Sequence, residues 1–195
     1  MTTNGVTELT PRTQVLGAGV WLRNYDTGAT FAANVAAGRV IGPTKGGNEI
    51  TIQREYVDHS ADIDGARGRI KGMTQITKDT ATIKATFATL TVSQLVEMIP
   101  GASVSTELGV STITSGDVTD ADYLTNIAWV GDHADAGDGT VGLIISNPLA
   151  LEPVVLAPER DSKLGPTLSM EAHYDPSNMS TAPWLIFMPS DASVS

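Results

Sequence analysis

Ala81-Thr82-Ile83-Lys84-Ala85-Thr86-Phe87-Ala88-Thr89-Leu90 is the stretch that decides the fold. Side chains of an extended chain alternate between two faces. Ile83, Ala85, Phe87 and Thr89 therefore share one face, and Thr82, Lys84, Thr86 and Ala88 share the other. That alternation reads as a half-buried β-strand. Immediately after it, Thr91-Val92-Ser93-Gln94 fits a capping box, with the Thr91 side chain and the Gln94 side chain each satisfying a free backbone donor. Val92, Leu95, Val96 and Ile99 follow at helical spacing until Pro100-Gly101 stops the run, which predicts a short helix over about 92–99. Two turns of helix have little stability alone, so this one is expected to flank the sheet and pack an apolar stripe on it.

Outward from this corner, the chain repeats the strand theme. Glu49 to Val57 alternates Ile50, Ile52, Arg54 and Tyr56 with Thr51, Gln53 and Glu55. Tyr123 to Val130 sets Tyr123, Ile127 and Trp129 on one face, and Thr140 to Ile145, Thr167 to Tyr174 and Trp184 to Met188 read as further short strands. Turn residues separate them, so the expected fold is mainly β, a β-sandwich or barrel with one short flanking α-helix and extended loops. Thr27 to Gly38 and Gly42 to Gly47 are expected as long connections, and Asp132 to Gly139 as a surface loop. At 195 residues the chain is read as a single domain spanning 1–195, with an N-terminal arm over about 1–11 and a C-terminal tail over about 190–195.

Composition narrows the chemistry. A 41% apolar and 17% charged chain has enough apolar material for a core, which excludes intrinsic disorder. With no Cys there are no disulfides, thiolate metal sites or Cys nucleophiles. A net charge of −10 argues against a protein built to grip phosphate. Met1 to Val15 lacks a basic segment followed by an apolar run, so no secretion signal is expected, and the uncharged stretch Gly139 to Leu151 is too short to span a bilayer.

Candidate catalytic patterns fail on mechanism. Gly137-Asp138-Gly139-Thr140-Val141-Gly142 has the letters of a dinucleotide fingerprint, but it runs into a strand instead of opening a helix on which a pyrophosphate would sit. The acidic runs at Asp62 to Gly65, Asp117 to Asp122 and Asp132 to Asp138 do not match a calcium-binding loop. His59, His133 and His173 lie far apart and outside any zinc-helix pattern. His59 has Asp58, Ser60 and Asp62 beside it, which fits either an acid–base cluster or a loop hydrogen-bond network. Trp21, Trp129 and Trp184 read as core or interface anchors. No enzyme activity, metal or cofactor is expected.

Charge is unevenly laid out. No Lys or Arg occurs between Lys84 and Arg160, a stretch that holds ten carboxylates, whereas eight cations lie between Arg39 and Lys84. Blocks of opposite sign suit head-to-tail self-association or one acidic exposed surface, and chance clustering on a solvated face accounts for them equally.

Five segments in order carry a resemblance. Gly47 to Tyr56, Asp64 to Gly72, Ala81 to Thr91 with the helix ending at Pro100-Gly101, Gly142 to Leu149, and Met170 to Asp175 with Ala182-Pro183-Trp184 resemble the major tail protein of long, non-contractile-tailed bacteriophages, the tail tube subunit. The resemblance runs over about residues 38–188 and contains no single diagnostic motif. It implies a structural virion protein of the phage tail, made in the host cytoplasm, whose copies form hexameric rings. Those rings stack into a hollow tube around a tape-measure protein, ending at tail terminator and tail tip or baseplate proteins. Viral DNA passes through the bore without specific binding, and no membrane is involved. Under this reading Glu107, Asp117, Asp120, Asp122, Asp132, Asp135 and Asp138 are candidates to face the bore, since an acidic wall repels phosphate. Arg67, Arg69 and Lys71 are candidates for an inter-subunit contact, and Thr27 to Gly47 for the ring-stacking contact. The readings left open are a tube subunit of a contractile tail or a type VI-like secretion apparatus, and a monomeric β-sandwich adhesin or carbohydrate-binding module.

Overall fold

A computed structural model describes residues 15–65, 67–133, 140–156 and 165–187. The strands are β1 (Val15–Arg23), β2 (Val40–Gly42), β3 (Thr44–Asp58), β4 (Thr74–Phe87), β5 (Ser103–Glu107), β6 (Val110–Thr114), β7 (Asn126–His133), β8 (Thr140–Ser146), β9 (Thr167–Glu171) and β10 (Trp184–Phe187). Two helices interrupt them, α1 (Phe31–Ala36) and α2 (Val92–Met98). The fold is mainly β, with antiparallel sheets in the orders β10-β8-β7-β1-β2 and β3-β4-β9, and a separate β5-β6 hairpin.

From Ala81 to Phe87 the strand does what its alternation requires, but it ends at Phe87 and not at Leu90, so Thr89 is exposed and does not join the buried face. Ala81, Ile83, Ala85 and Phe87 are buried, and their neighbours are half-exposed. They meet Trp21, Ile127, Leu143 and Ile145 of the five-stranded sheet and Leu168 and Met170 of β9 in one core, so the two sheets form a sandwich. Trp21 ties the layers together. Its ring packs edge-on to Phe87 at 5.6 Å, and its Nε1 donates to Asn48 Oδ1 at 2.8 Å. The outer face of the five-stranded sheet buries a second cluster, Leu22, Ala128, Val130 and Ile144, under Phe31, Tyr25 and Phe187.

Three expectations need correction. First, β4 begins at Thr74, not Ala81. The exposed run Thr74 to Lys78 is held as strand by pairing with β3 instead of by burial, so its hydrophobic period carries no signal. Second, Thr27 to Gly47 is not a plain connection. Thr30 Oγ1 caps α1 by accepting from Ala33 N, and the fully buried Asn34 pins the turn. Its Nδ2 donates to Asp26 and Thr30 carbonyls, and its Oδ1 accepts from Asp26 N and Arg39 Nη1. Val40–Gly42 then pairs with β1, so removing the segment strips an edge strand and the buried Ile41 from the core. Third, α2 has the expected capping box, but the stripe it buries is Gln94 and Met98 while Val92 is exposed. Gln94 reaches inward because its amide closes the cap at Thr91 N and also donates to Ile41 O at 3.2 Å. A polar side chain so matched is stable in the interior.

Close packing makes one glycine testable. A Cβ on Gly142 would lie 2.7 Å from the Trp129 carbonyl and collide with the Phe187 ring. Because a backbone oxygen cannot swing aside, Gly142→Ala should lower stability by about 1–3 kcal/mol in urea unfolding; an unchanged midpoint would contradict this packing.

Candidate self-association surface

The β3-β4 hairpin outruns the sandwich that supports it. Cross-strand partners share a face, so Ile50, Ile52, Arg54 and Tyr56 of β3 lie on the core face with Ile83, Ala81, Asp79 and Ile76 of β4. Of the first pairs, Ile83 and Ala81 are buried in the core and Ile52 packs against it, while Ile50 is 37% exposed. At Arg54–Asp79 the core ends in a polar plug: the buried Asp79 accepts from Trp184 Nε1 at 2.7 Å and from Arg54 Nη2 at 3.1 Å. The Arg54 guanidinium also lies 5.1 Å from the centre of the Trp184 ring. Hydrogen bonding to Asp79 raises the Arg54 pKa further above an already high value.

Beyond the plug the same face continues with nothing over it. Tyr56 and Ile76, register partners, are 58% and 47% exposed. Four residues from Arg54 to Asp58 carry the hairpin about 13 Å past the plug at roughly 3.3 Å per residue. Val57, Ile63 and Ile70 are also exposed large apolar side chains there.

The connection between β3 and β4 holds the three cations singled out from sequence. Arg67, Arg69 and Lys71 are all exposed, and the hairpin brings them to one end. Arg69 Nε lies 3.5 Å from Asp58 Oδ2, while Arg67 and Lys71 form no ion pair among the described residues. The connection is ordered by Ser60, which is buried: its N and Oγ both donate to Asp58 Oδ1, and its Oγ accepts from Ile70 N at 2.8 Å. Donation from Ser60, with Arg69 nearby, holds the Asp58 carboxyl below the usual range. His59 Nε2 sits 3.3 Å from Gln75 Oε1, so the Asp58–Ser60 group is a loop network and not an acid–base relay to His59. Among the described residues no group of three or more His, Cys, Asp or Glu is arranged to hold a metal ion, and no helix is long and apolar enough to cross a membrane.

Sheet edges are also open. Among the described residues β3 pairs only with β4, and β10 only with β8, and β10 exposes Leu185 and Ile186. Unpaired apolar edges are templates for pairing with another chain.

The acidic candidates fall into different settings. Glu107 ends β5, exposed, next to a turn where Leu108 is fully exposed with φ 52°. Asp117 and Asp120 are exposed on the segment before β7. Asp122 is occupied with the backbone. It accepts from Thr119 N at 2.7 Å and from Gly101 N at 3.0 Å, and these bonds push its pKa down. Asp132 lies in β7, its backbone paired with Leu16 and Thr140. Asp135 and Asp138 lie outside the described residues. Sequence reasoning missed the pairing of one further carboxylate of the same stretch, Glu97 on α2. Arg23 Nη1 donates to its Oε1 at 2.5 Å across 74 residues of chain, a separation that leaves no local sequence signal.

Comparison of the chain with protein-family models finds no match, and comparison with curated proteins finds none.

Glu97 is one-tenth exposed, and its Oε2 has no hydrogen-bond partner among the described residues. Burial pushes its pKa up, and Arg23 pulls it only part of the way back. The native state therefore holds this proton more tightly than the unfolded chain does. The stability contributed by the protonated form is lost as pH rises from the ordinary Glu range, about 4.3, through the raised native value. Glu97→Gln, which keeps an acceptor for Arg23, should be at least as stable as the parent at pH 7 and remove that part of the fall. Urea unfolding across pH 4–8 reads this, and a variant weaker than its parent at pH 7 would refute it.

Proposed function

We propose that the chain is a structural subunit of a hollow phage tail tube. Copies close into hexameric rings, and rings stack around a tape-measure protein into a conduit through which viral DNA reaches the host. The observation that carries the reading is the β3-β4 hairpin, whose apolar face extends past its own core at Tyr56 and Ile76 and ends in Arg67, Arg69 and Lys71. A monomer gains nothing by holding such a face in water, since apolar area contributes only when covered. Open edges at β3 and β10 supply a second requirement of ring closure, strand pairing between copies. The lack of Lys and Arg from residue 85 to 159 supports a wall that does not retain phosphate.

Glu107, Asp117 and Asp120, the exposed members of the acidic set, are the side chains we assign to the bore. Replacing Asp117 and Asp120 together by Lys should slow DNA passage through assembled tails; ejection at the normal rate would remove them from the bore. The contractile-tail and secretion-tube readings share this assembly logic. The monomeric adhesin reading does not account for the uncovered hairpin.

Purified protein at high concentration should form rings and hollow filaments visible by negative-stain microscopy. Tyr56→Asp and Ile76→Asp alter exposed sites, so stability should change by about 0.5 kcal/mol or less, while filaments disappear. A protein that stays monomeric at every concentration overturns the proposal.

A further inference from the structure

A cavity of about 130 Å³ opens beside the C-terminal end of α2. Its apolar wall includes Val96, Leu124 and Met170, and Glu97 and Asp122 complete it, with the exposed Ala121 at its mouth. Two features set it apart from a packing defect. Glu97 is nine-tenths buried, and its Oε2 is the buried side-chain oxygen left without a partner among the described residues. Two carboxylates, Glu97 and Asp122, line it, Arg23 is the one cation paired with Glu97 among the described residues, and no Lys or Arg occurs from residue 85 to 159.

An apolar wall with carboxylates in it matches a side chain that has an aliphatic stem and a cationic head. The chain displays such side chains at the far end of the β3-β4 hairpin, where Arg67 and Lys71 are exposed and form no ion pair among the described residues. We propose that this cavity is the receptor for the β3-β4 hairpin end of a second copy, with Arg67 or Lys71 entering between the carboxylates of Glu97 and Asp122. The inference rests on the tube reading only in needing a second copy, and it names which surface of that copy is engaged. Apolar side chains beside the cations, Ile63 and Ile70, then cover the rim around the mouth. The charge blocks seen in the sequence thus become two halves of one contact, and because the contact is head-to-tail it links copy to copy, into a ring where its rotation closes and along a filament where it does not.

The absence of cysteine makes the contact directly readable. Gly68 lies between Arg67 and Arg69, has no positive φ and has open space around a built Cβ, so Gly68→Cys leaves all three cations in place. A preparation carrying Gly68→Cys and a second, size-tagged preparation carrying Ala121→Cys are mixed, assembled and treated with a short bis-maleimide. A mixed-size cross-linked band is expected in filaments and not in dissociated chains. Glu97→Gln, which retains the fold, should raise the concentration needed for assembly about tenfold, the loss expected of a charged hydrogen bond in a buried site. Filaments that form without the mixed band overturn the receptor assignment and leave the tube reading standing. Chains that never assemble at any concentration overturn both.

Discussion

Asp79 marks where the sandwich stops. On the core side of it, β4 presents Ala81, Ile83, Ala85 and Phe87 to the opposing sheet; on the other side, the same face meets solvent. A buried carboxylate is tolerated only when its charge and lone pairs are matched. Arg54 and Trp184 match it from two directions, one along the hairpin and one from the edge strand β10. The plug therefore fastens the C-terminal strand to the midpoint of the hairpin and seals the core without closing the hairpin over it. The outer hairpin, the open edge at β10 and the cationic end all take their positions from that junction.

Much of the core was legible because it obeys a period. The two-residue alternation from Ala81 to Phe87 and the capping letters of Thr91 and Gln94 are local signals, and both produce the elements they announce. What was not legible depends on partners distant in the chain. Gln94 is buried because Ile41 offers it an acceptor, and Asn34 is buried because it mimics backbone across the Asp26–Thr30 turn, so α1 sits inside a run that looked like loop. The polar start of β4 is strand only because β3 lies beside it. For the self-association surface, the sequence supplied Arg67, Arg69 and Lys71 and the alternation of Ile50, Ile52 and Tyr56. It held no sign that Tyr56 lies past the edge of the core, since an apolar residue on a strand face reads the same whether or not something covers it.

The distribution of charge has a simple physical consequence. Carboxylates held by backbone or by hydroxyls, such as Asp122 and Asp58, have lowered pKa values and stay ionised, whereas Glu97 is pushed the other way by burial. Asp122 and Glu97, both in the acidic stretch, are thus shifted in opposite directions, one by backbone donors and one by burial. A cation arriving at the cavity would favour ionisation of Glu97, and the strength of such a contact would grow as that carboxyl loses its proton.

The hairpin also divides the chain dynamically. Its inner half shares the fate of the core, so its amides open only when the sandwich does. The outer half, from Tyr56 through the cationic turn to Ile76, is held by two strands, the Ser60 network and local contacts such as Arg69–Asp58 and His59–Gln75, and a two-stranded ribbon in water is marginal. Hydrogen exchange in the free chain should accordingly run fast at the tip and slow at the root, so that the limb carrying the cations is the part of the molecule whose stiffness a partner of the kind proposed would complete.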